Sequence, residues 1–280
     1  MAGIVPQQTG LEALKIQQPG AIVGDIARAR GRASLRFRLI FFATWIIVVG
    51  ALAIAFIGTG KVHLDFLAQW TPFILGGVPV TIFVAVCSIA IAVVFALFGA
   101  LGRLSRSAPI YALATLYVSL VRGTPLIVQI LFVYLALPQF GLVLDPLFGG
   151  ILTLAFNYGA YMTEIFRAGI QAIPRGQVEA AQSLAMPEGL IMRRIILPQA
   201  VRIVIPAVGN EFIAMIKDSA LVSFVTIQEL FWRASTVGSR NFRSFETLLV
   251  AALIYWFLTI GFSFVQERLE QRMAESDRRL

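Results

Sequence analysis

Long runs of apolar residues separated by short polar connections set the pattern of this chain. Residues 39–58 carry no charge, residues 66–102 carry none, and residues 110–137 carry a single one, Arg122. A helix needs about 20 apolar residues to cross a hydrocarbon layer of roughly 30 Å. The runs therefore predict spanning helices at 39–58, from near Phe73 to 102, at 110–137, opening at 146–161, at 203–222 and at 247–265. Gly76, Gly77 and Pro79 punctuate the start of the second run, which is why that span is placed from Phe73. Residues 227–245 alternate as an amphipathic, surface-lying segment. Residues 1–38 read as a polar, solvated and mobile tail ending in a basic run, and residues 268–280 as a charged tail. The resulting fold class is an all-α integral membrane protein with about six transmembrane helices. The apolar run 39–58 exceeds the roughly 7–15 residues of a signal-peptide core, which favours an uncleaved anchor over a cleaved leader.

Composition agrees with this reading. The 280 residues are 58% hydrophobic and 14% charged, where a soluble domain would be about a quarter charged. The net charge of +8 suggests nucleic acid until the cations are placed. With six spans both termini share a side, and 17 of the 23 Lys and Arg fall in the segments on that side. Four fall on the opposite side, and Arg122 and Lys217 lie within spans. Cytoplasmic loops hold the excess of Lys and Arg, so both termini and the connection at 167–202 are placed in the cytoplasm of a multi-pass inner-membrane protein. The basic balance reflects topology, and no nucleic-acid partner is expected. One cysteine, Cys87, and one histidine, His63, exclude an internal disulfide framework and a Cys- or His-based metal cluster. No catalytic group is singled out.

Three polar groups interrupt the spans. Arg122-Gly123-Thr124-Pro125, with Gln129 one turn on, puts a charge beside helix breakers. Non-helical backbone at membrane depth lines water or is buried in protein, and broken helices form transport sites. The competing reading has Arg122 snorkelling to the interface. Tyr158, Tyr161 and Glu164 form the second group. Tyr161 and Glu164, three residues apart, share a helix face and offer hydroxyl and carboxylate to a polar solute. They read equally as belt tyrosines and an edge carboxylate paired with Arg167. The third group, Glu211, Lys217, Asp218 and Ser219, places both signs of charge in one span. Unpaired charges are costly to bury, so an aqueous or protein-lined setting is required, and a zwitterionic solute suits it.

The connection between the fourth and fifth spans is long, polar and Ala-rich. Pro187 divides it into two short helices, and Arg193 and Arg194 give the second a basic edge. Its apolar face is weak between Glu179 and Ala185, which suits a protein groove better than lipid. The chain has no G-x-x-x-x-G-K-[ST] phosphate loop, so any ATP is hydrolysed by another chain.

The segment EAAQSLAMPEGLIMRRIILP, 179–198, resembles the EAA loop of ABC-importer permeases: EAA, three residues, Gly, nine residues, Ile, any residue, Leu-Pro. Glu179, Ala180, Ala181, Ile195, Leu197 and Pro198 match, while Ala185 stands at the Gly position. Alanine there lacks the φ freedom of glycine, so a slightly different turn is expected. VRGTPLIVQILFVYLALPQFG (121–141), NYGAYMTEIFRAGIQAIPRGQVEAA (157–181) and IKDSALVS (216–223) are similar to segments of the polar amino-acid, or histidine/glutamine, permeases of that class.

The resemblance implies a type I ABC-importer permease helix bundle at 73–267, with the EAA loop at 175–198 and an additional N-terminal helix at 39–58. It implies an ABC ATPase subunit that binds ATP and Mg, an extracytoplasmic solute-binding protein, a second permease copy or a related permease, and a polar amino acid as cargo. Glu179, Ala180, Ala181, Ala185, Pro187, Arg193 and Arg194 are then the ATPase-coupling residues. Arg122, Thr124, Pro125, Gln129, Tyr161, Glu164, Asn210, Lys217, Asp218 and Ser219 are the candidates for the solute pathway. A secondary transporter or channel would account for the charged spans but not for the EAA loop. A membrane scaffold would use the loop and move no solute.

Overall fold

A computed structural model describes residues 19–277 except 59 and 61, and the chain divides into two units, 1–62 and 63–280. Residues 1–18 and 278–280, parts of the two expected tails, lie outside the described residues. The first unit contains one helix, α1 (Pro19–Gly58). The expectation of a tail up to residue 38 is corrected here, because α1 begins at Pro19. Proline suits a helix start, and the Ala- and Arg-rich stretch after it favours helix. Within α1 the rings of Phe37, Phe41 and Trp45 stack one turn apart, with centroids 6.3 and 6.0 Å apart.

Among its described residues the second unit consists of helices joined by short turns. α2 (Leu64–Leu75) turns at Gly76–Gly77 into α3 (Val78–Leu104), and α4 is Ala108–Arg122. α5 (Leu126–Leu131) continues as a π-turn, Phe132–Ala136, and a 3₁₀ turn, Leu137–Phe140. α6 is Pro146–Gln171 and α7 is Arg175–Ser183. α8 (Glu188–Ile191) runs through a π-turn, Met192–Ile196, into α9 (Leu197–Asp218). A 3₁₀ segment, Ser219–Val225, leads to α10 (Leu230–Asn241) and α11 (Ser244–Asp277). Two boundaries differ from expectation. The fifth span ends at Asp218 rather than 222, where the backbone tightens to 3₁₀ and the Ser219 hydroxyl donates to the Ile216 carbonyl at 2.8 Å. The last helix continues through the charged segment to Asp277, whose Glu, Arg, Gln and Met residues favour helix.

By length and composition three described segments are apolar enough to cross a membrane: Leu35–Phe56, Leu64–Leu104 and Ser244–Met273. The pair Ala108–Arg122 and Leu126–Phe140, bent by 102°, makes up to four, where hydropathy and loop spacing predict about six. α6, with 26 residues, and α9, with 22, are long enough to supply the other two, but polar side chains dilute their hydropathy.

The core is built on α3 against α6. Ser88, Ala92, Ala96 and Ala100 recur every fourth residue on α3, all buried, and let the helix backbones approach closely. Gly99 packs directly on Thr163, leaving no room for a Cβ. Met162, Met215 and Ile216 close this core on α6 and α9.

A second polar cluster fixes α10. Glu229 is fully buried. Its carboxylate accepts the Trp232 N–H at 2.7 Å, capping the helix, and the Tyr255 hydroxyl at 2.6 Å and the Thr81 hydroxyl at 3.3 Å. Thr81 in turn accepts the Leu230 N–H at 3.2 Å. Burial pushes the Glu229 carboxyl above the usual carboxylate range, a shift that its hydrogen bonds oppose without cancelling. On α11, buried Glu246 accepts the His63 backbone N–H at 2.6 Å, lies 3.2 Å from the His63 ring Nδ1 and lies 3.7 Å from Arg243.

Candidate functional site

The chain breaks between α4 and α5 because of Gly123, Thr124 and Pro125, the three residues after Arg122. Pro125 has no N–H to return to the Val121 carbonyl. The Gln129 amide does so instead, donating to Val121 O at 2.8 Å and to Thr124 Oγ1 at 2.8 Å. Asn157 on α6 donates to Gln129 Oε1 at 3.2 Å, tying the break to the neighbouring helix. Gln129 thus braces the bend through its amide.

The bend lines a cavity of about 460 Å³ with α6 and α9. Its walls are Arg122, Gly123, Thr124, Pro125 and Leu126 from the break, Asn157, Tyr158 and Tyr161 from α6, and Glu211 and Asp218 from α9. The Arg122 guanidinium lies 5.1 Å from the centre of the Tyr161 ring and makes no hydrogen bond with the described residues, so its donors stay available. The Tyr158 hydroxyl donates to Asp218 Oδ2 at 2.7 Å. Glu211 and Asp218 are seven residues apart, on one face of α9, about 10 Å apart along the axis at 1.5 Å per residue. The cavity therefore presents a cation and two carboxylates to one small volume, within the 300–1,000 Å³ usual for small-molecule sites.

The three polar groups of the sequence converge here, though not every member does. Arg122, Thr124, Pro125, Tyr161 and Asp218 line the cavity, as do Tyr158 and Glu211. Glu164 faces away, held by Arg103 Nε at 3.1 Å and Arg167 at 2.7 Å, so it belongs to an Arg–Glu–Arg cluster. Arg103 also donates to Thr115 at 2.6 Å. Asn210 accepts from Gln266 on α11 at 3.0 Å, Lys217 is exposed away from the lining, and Ser219 is buried on its own backbone. Asn157 and Leu126 are not anticipated by the sequence reading. The NYGAY run contained the signal for Asn157, an amide on the α6 face shared with Tyr161 at i+4.

The second candidate surface is the loop formed by α7 and α8. Glu179, Ala180, Ala185, Pro187, Arg193 and Arg194 are exposed there, whereas Ala181 is buried and packs inward. Leu184, which nothing in the sequence singles out, stands 77% exposed at the tip. α7 ends in a Schellman turn, with Met186 N–H donating to Ala181 O at 3.1 Å and Ala185 N–H to Gln182 O at 2.8 Å. Ala185 sits at its left-handed position with φ +55°. Alanine there adopts the left-handed conformation that glycine takes most easily.

A family model described as "Binding-protein-dependent transport system inner membrane component" matches residues 88–275. The L-cystine transport system permease protein TcyB of Bacillus subtilis (strain 168) is 38% identical over 203 residues, 72% of this chain and 87% of that protein. The arginine transport system permease protein ArtQ of the same organism is 36% identical over 218 residues, 77% of this chain and all of that one. Among solved structures, a chain of an amino acid ABC transporter crystallised with histidines is 40% identical, with a TM-score of 0.72, over 75% of this chain and 99% of its own. A chain of the inward-facing MetNI methionine ABC transporter, 17% identical with a TM-score of 0.57, shares the fold over 74% of this chain and 96% of its own.

Proposed function

We propose that this chain, which belongs to the family of binding-protein-dependent transport system inner membrane components, moves a polar amino acid into the cell by alternating access driven from a separate ATPase subunit. Its helix bundle is that of the type I ABC-importer permeases, and it is an integral membrane protein of a transport complex. One observation carries the finer reading. α9 joins the two candidate surfaces: it continues from α8 and the Met192–Ile196 turn at one end and carries Glu211 and Asp218 at the other. Its 22 residues span about 33 Å and are interrupted only at Pro206, which lacks an N–H, so the helix links the loop to the acidic wall of the cavity with one point of bending between them.

In this mechanism the ATPase holds ATP and Mg, and its closure draws the exposed α7–α8 surface of two permease copies together. Leu184, Glu179 and the Arg193–Arg194 edge make the contact, while Ala181 and Ala185 shape the turn that presents them. α9 then opens the cavity to the outer face, where a solute-binding protein delivers the amino acid. Arg122 takes its carboxylate, and Glu211 or Asp218 its ammonium. Relatives named for cystine and arginine support an amino acid as cargo. The excess of Lys and Arg on the side of both termini supports the cytoplasmic membrane, with termini and coupling loop inside.

Proteoliposomes containing the chain, its ATPase and its binding protein test the proposal. Uptake of labelled amino acid should require ATP, fall at least tenfold in Asp218→Asn and Arg122→Gln, and lose ATPase stimulation in Leu184→Asp. Uptake without the ATPase, driven by an ion gradient, would overturn it.

A further inference from the structure

The turn between α10 and α11 holds a side chain that the fold does not use. Phe242 has φ +55° and is 96% exposed. A left-handed conformation costs a non-glycine residue roughly 1–2 kcal/mol, and an exposed phenyl ring recovers nothing by burial. The turn itself asks only for a left-handed residue. The N–H groups of Phe242 and Arg243 both return to the Gly238 carbonyl, the latter at 2.9 Å, an arrangement that glycine or asparagine most often completes. A phenylalanine at such a position is an outlier whose use must lie outside the chain.

The turn is also held rigid. Asn241 Nδ2 donates to Val237 O at 2.8 Å, and Ser244 backbone sits 2.8 Å from where a Gly238 Cβ would be. The Arg243 guanidinium lies 4.8 Å from the centre of the Phe66 ring and 3.7 Å from Glu246. On the α10 side of Phe242 the residues Ser239, Arg240 and Asn241 are exposed, and on the α11 side Phe245 is half-exposed. A preorganised, exposed aromatic beside an arginine is the pattern of a protein-interface hot spot.

We propose that Phe242, flanked by Arg240, is the docking knob for the soluble solute-binding protein, inserting into an apolar pocket rimmed by acidic residues. The proposal rests on the importer reading, which puts this turn on the outer face. From the knob the contact continues through α10, anchored at its start by Glu229, and the Ser219–Val225 turn to Asp218 in the cavity. Docking and the acidic wall thus share one stretch of chain.

The test uses the complete complex in nanodiscs, titrated with its own loaded binding protein while ATP hydrolysis is followed. Phe242→Gly keeps the turn and relieves its strain, so it cannot fail by misfolding. It should raise the half-saturating binding-protein concentration about tenfold or more, as loss of an aromatic hot spot does. The hydrolysis rate without binding protein should not change. Arg240→Glu should weaken docking further against an acidic rim, and Phe242→Trp should retain it, with indole fluorescence changing on addition of binding protein. An unchanged titration in Phe242→Gly overturns this proposal alone. So does a Trp at 242 that brominated lipids quench and binding protein does not affect. An unsubstituted complex that binding protein fails to stimulate overturns the importer reading and this one with it.

Discussion

Replacing Ala185 with glycine should tighten the loop between α7 and α8. Ala185 holds φ +55° at the left-handed position of the Schellman turn. Relief of that strain is worth about 1–2 kcal/mol. Glycine gives back about 0.4–1 kcal/mol through the greater freedom of the opened chain. The difference, about 0–1.6 kcal/mol with a midpoint near 0.8 kcal/mol in favour of Ala185→Gly, corresponds at that midpoint to roughly a fourfold shift in a local opening equilibrium. Hydrogen exchange reads that opening directly, because the amides of Ala185 and Met186 close the turn on Gln182 and Ala181. Their protection should rise about fourfold in Ala185→Gly. It should fall in Ala185→Val, whose branched side chain tolerates φ > 0 least. Equal protection in all three proteins would refute the argument, because the turn would then not be limited by backbone strain at this residue.

Three further substitutions probe the bundle. Gly99→Ala inserts a methyl where Thr163 already packs, so it should cost about 1–3 kcal/mol, and Thr163→Ala added to it should restore most of the melting temperature in detergent; a double variant no better than the single sinks the packing argument. Gln129→Glu is isosteric but loses the amide donors that reach Val121 and Thr124, so it should disable uptake as fully as Gln129→Leu, and near-normal uptake in the carboxylate variant would show that the bend does not need them. Glu229 has its folded pKa raised by burial, so its contribution to stability is present below the ordinary carboxylate range and is lost as pH rises through the raised value. Melting temperature should fall over that interval, and Glu229→Gln should flatten the slope; an unaltered slope in the variant would assign the pH dependence to another group.

The spans legible in the sequence are those whose chemistry is uniform. The runs behind α3 and α11 are nearly pure hydrocarbon, and the break at Arg122-Gly123-Thr124-Pro125 is marked by the residues that cause it. α6 and α9 depend on loop spacing for their placement, because the polar groups that make them useful also dilute their hydropathy. Helix ends are the least legible part. Nothing in residues 19–38 marks the start of a helix beyond propensity and one proline. Which polar residues face the cavity lies beyond sequence, since Glu164 and Glu211 look alike until Arg103 and Arg167 are seen closing on the first. Phe242 and Leu184 are illegible for a different reason. An apolar residue in a polar loop carries no sign of its exposure until the backbone is placed.

What separates the acids that line the cavity from the other acids of this bundle is unused hydrogen-bonding capacity. An ionised carboxylate can accept about four hydrogen bonds. Glu229 accepts from Trp232, Tyr255 and Thr81, Glu164 is gripped by two arginines, and Glu246 is held by His63 and Arg243. Each of these three binds one helix to another and has little left to offer. Among the described residues, Asp218 receives only the Tyr158 hydroxyl and Glu211 makes no hydrogen bond. Across the same cavity Arg122 has a ring beneath it and its donors unused. Arg122 is exposed and Glu211 and Asp218 are half-buried, so both signs of charge face one 460 Å³ space with hydrogen-bonding capacity to spare, a setting that suits water or a polar solute. An ammonium and a carboxylate on one small molecule satisfy both signs at once. The spare capacity, more than the presence of charge, is therefore what sets the acids of this cavity apart from those of the frame around it, and it is the ground on which we propose a zwitterion as cargo.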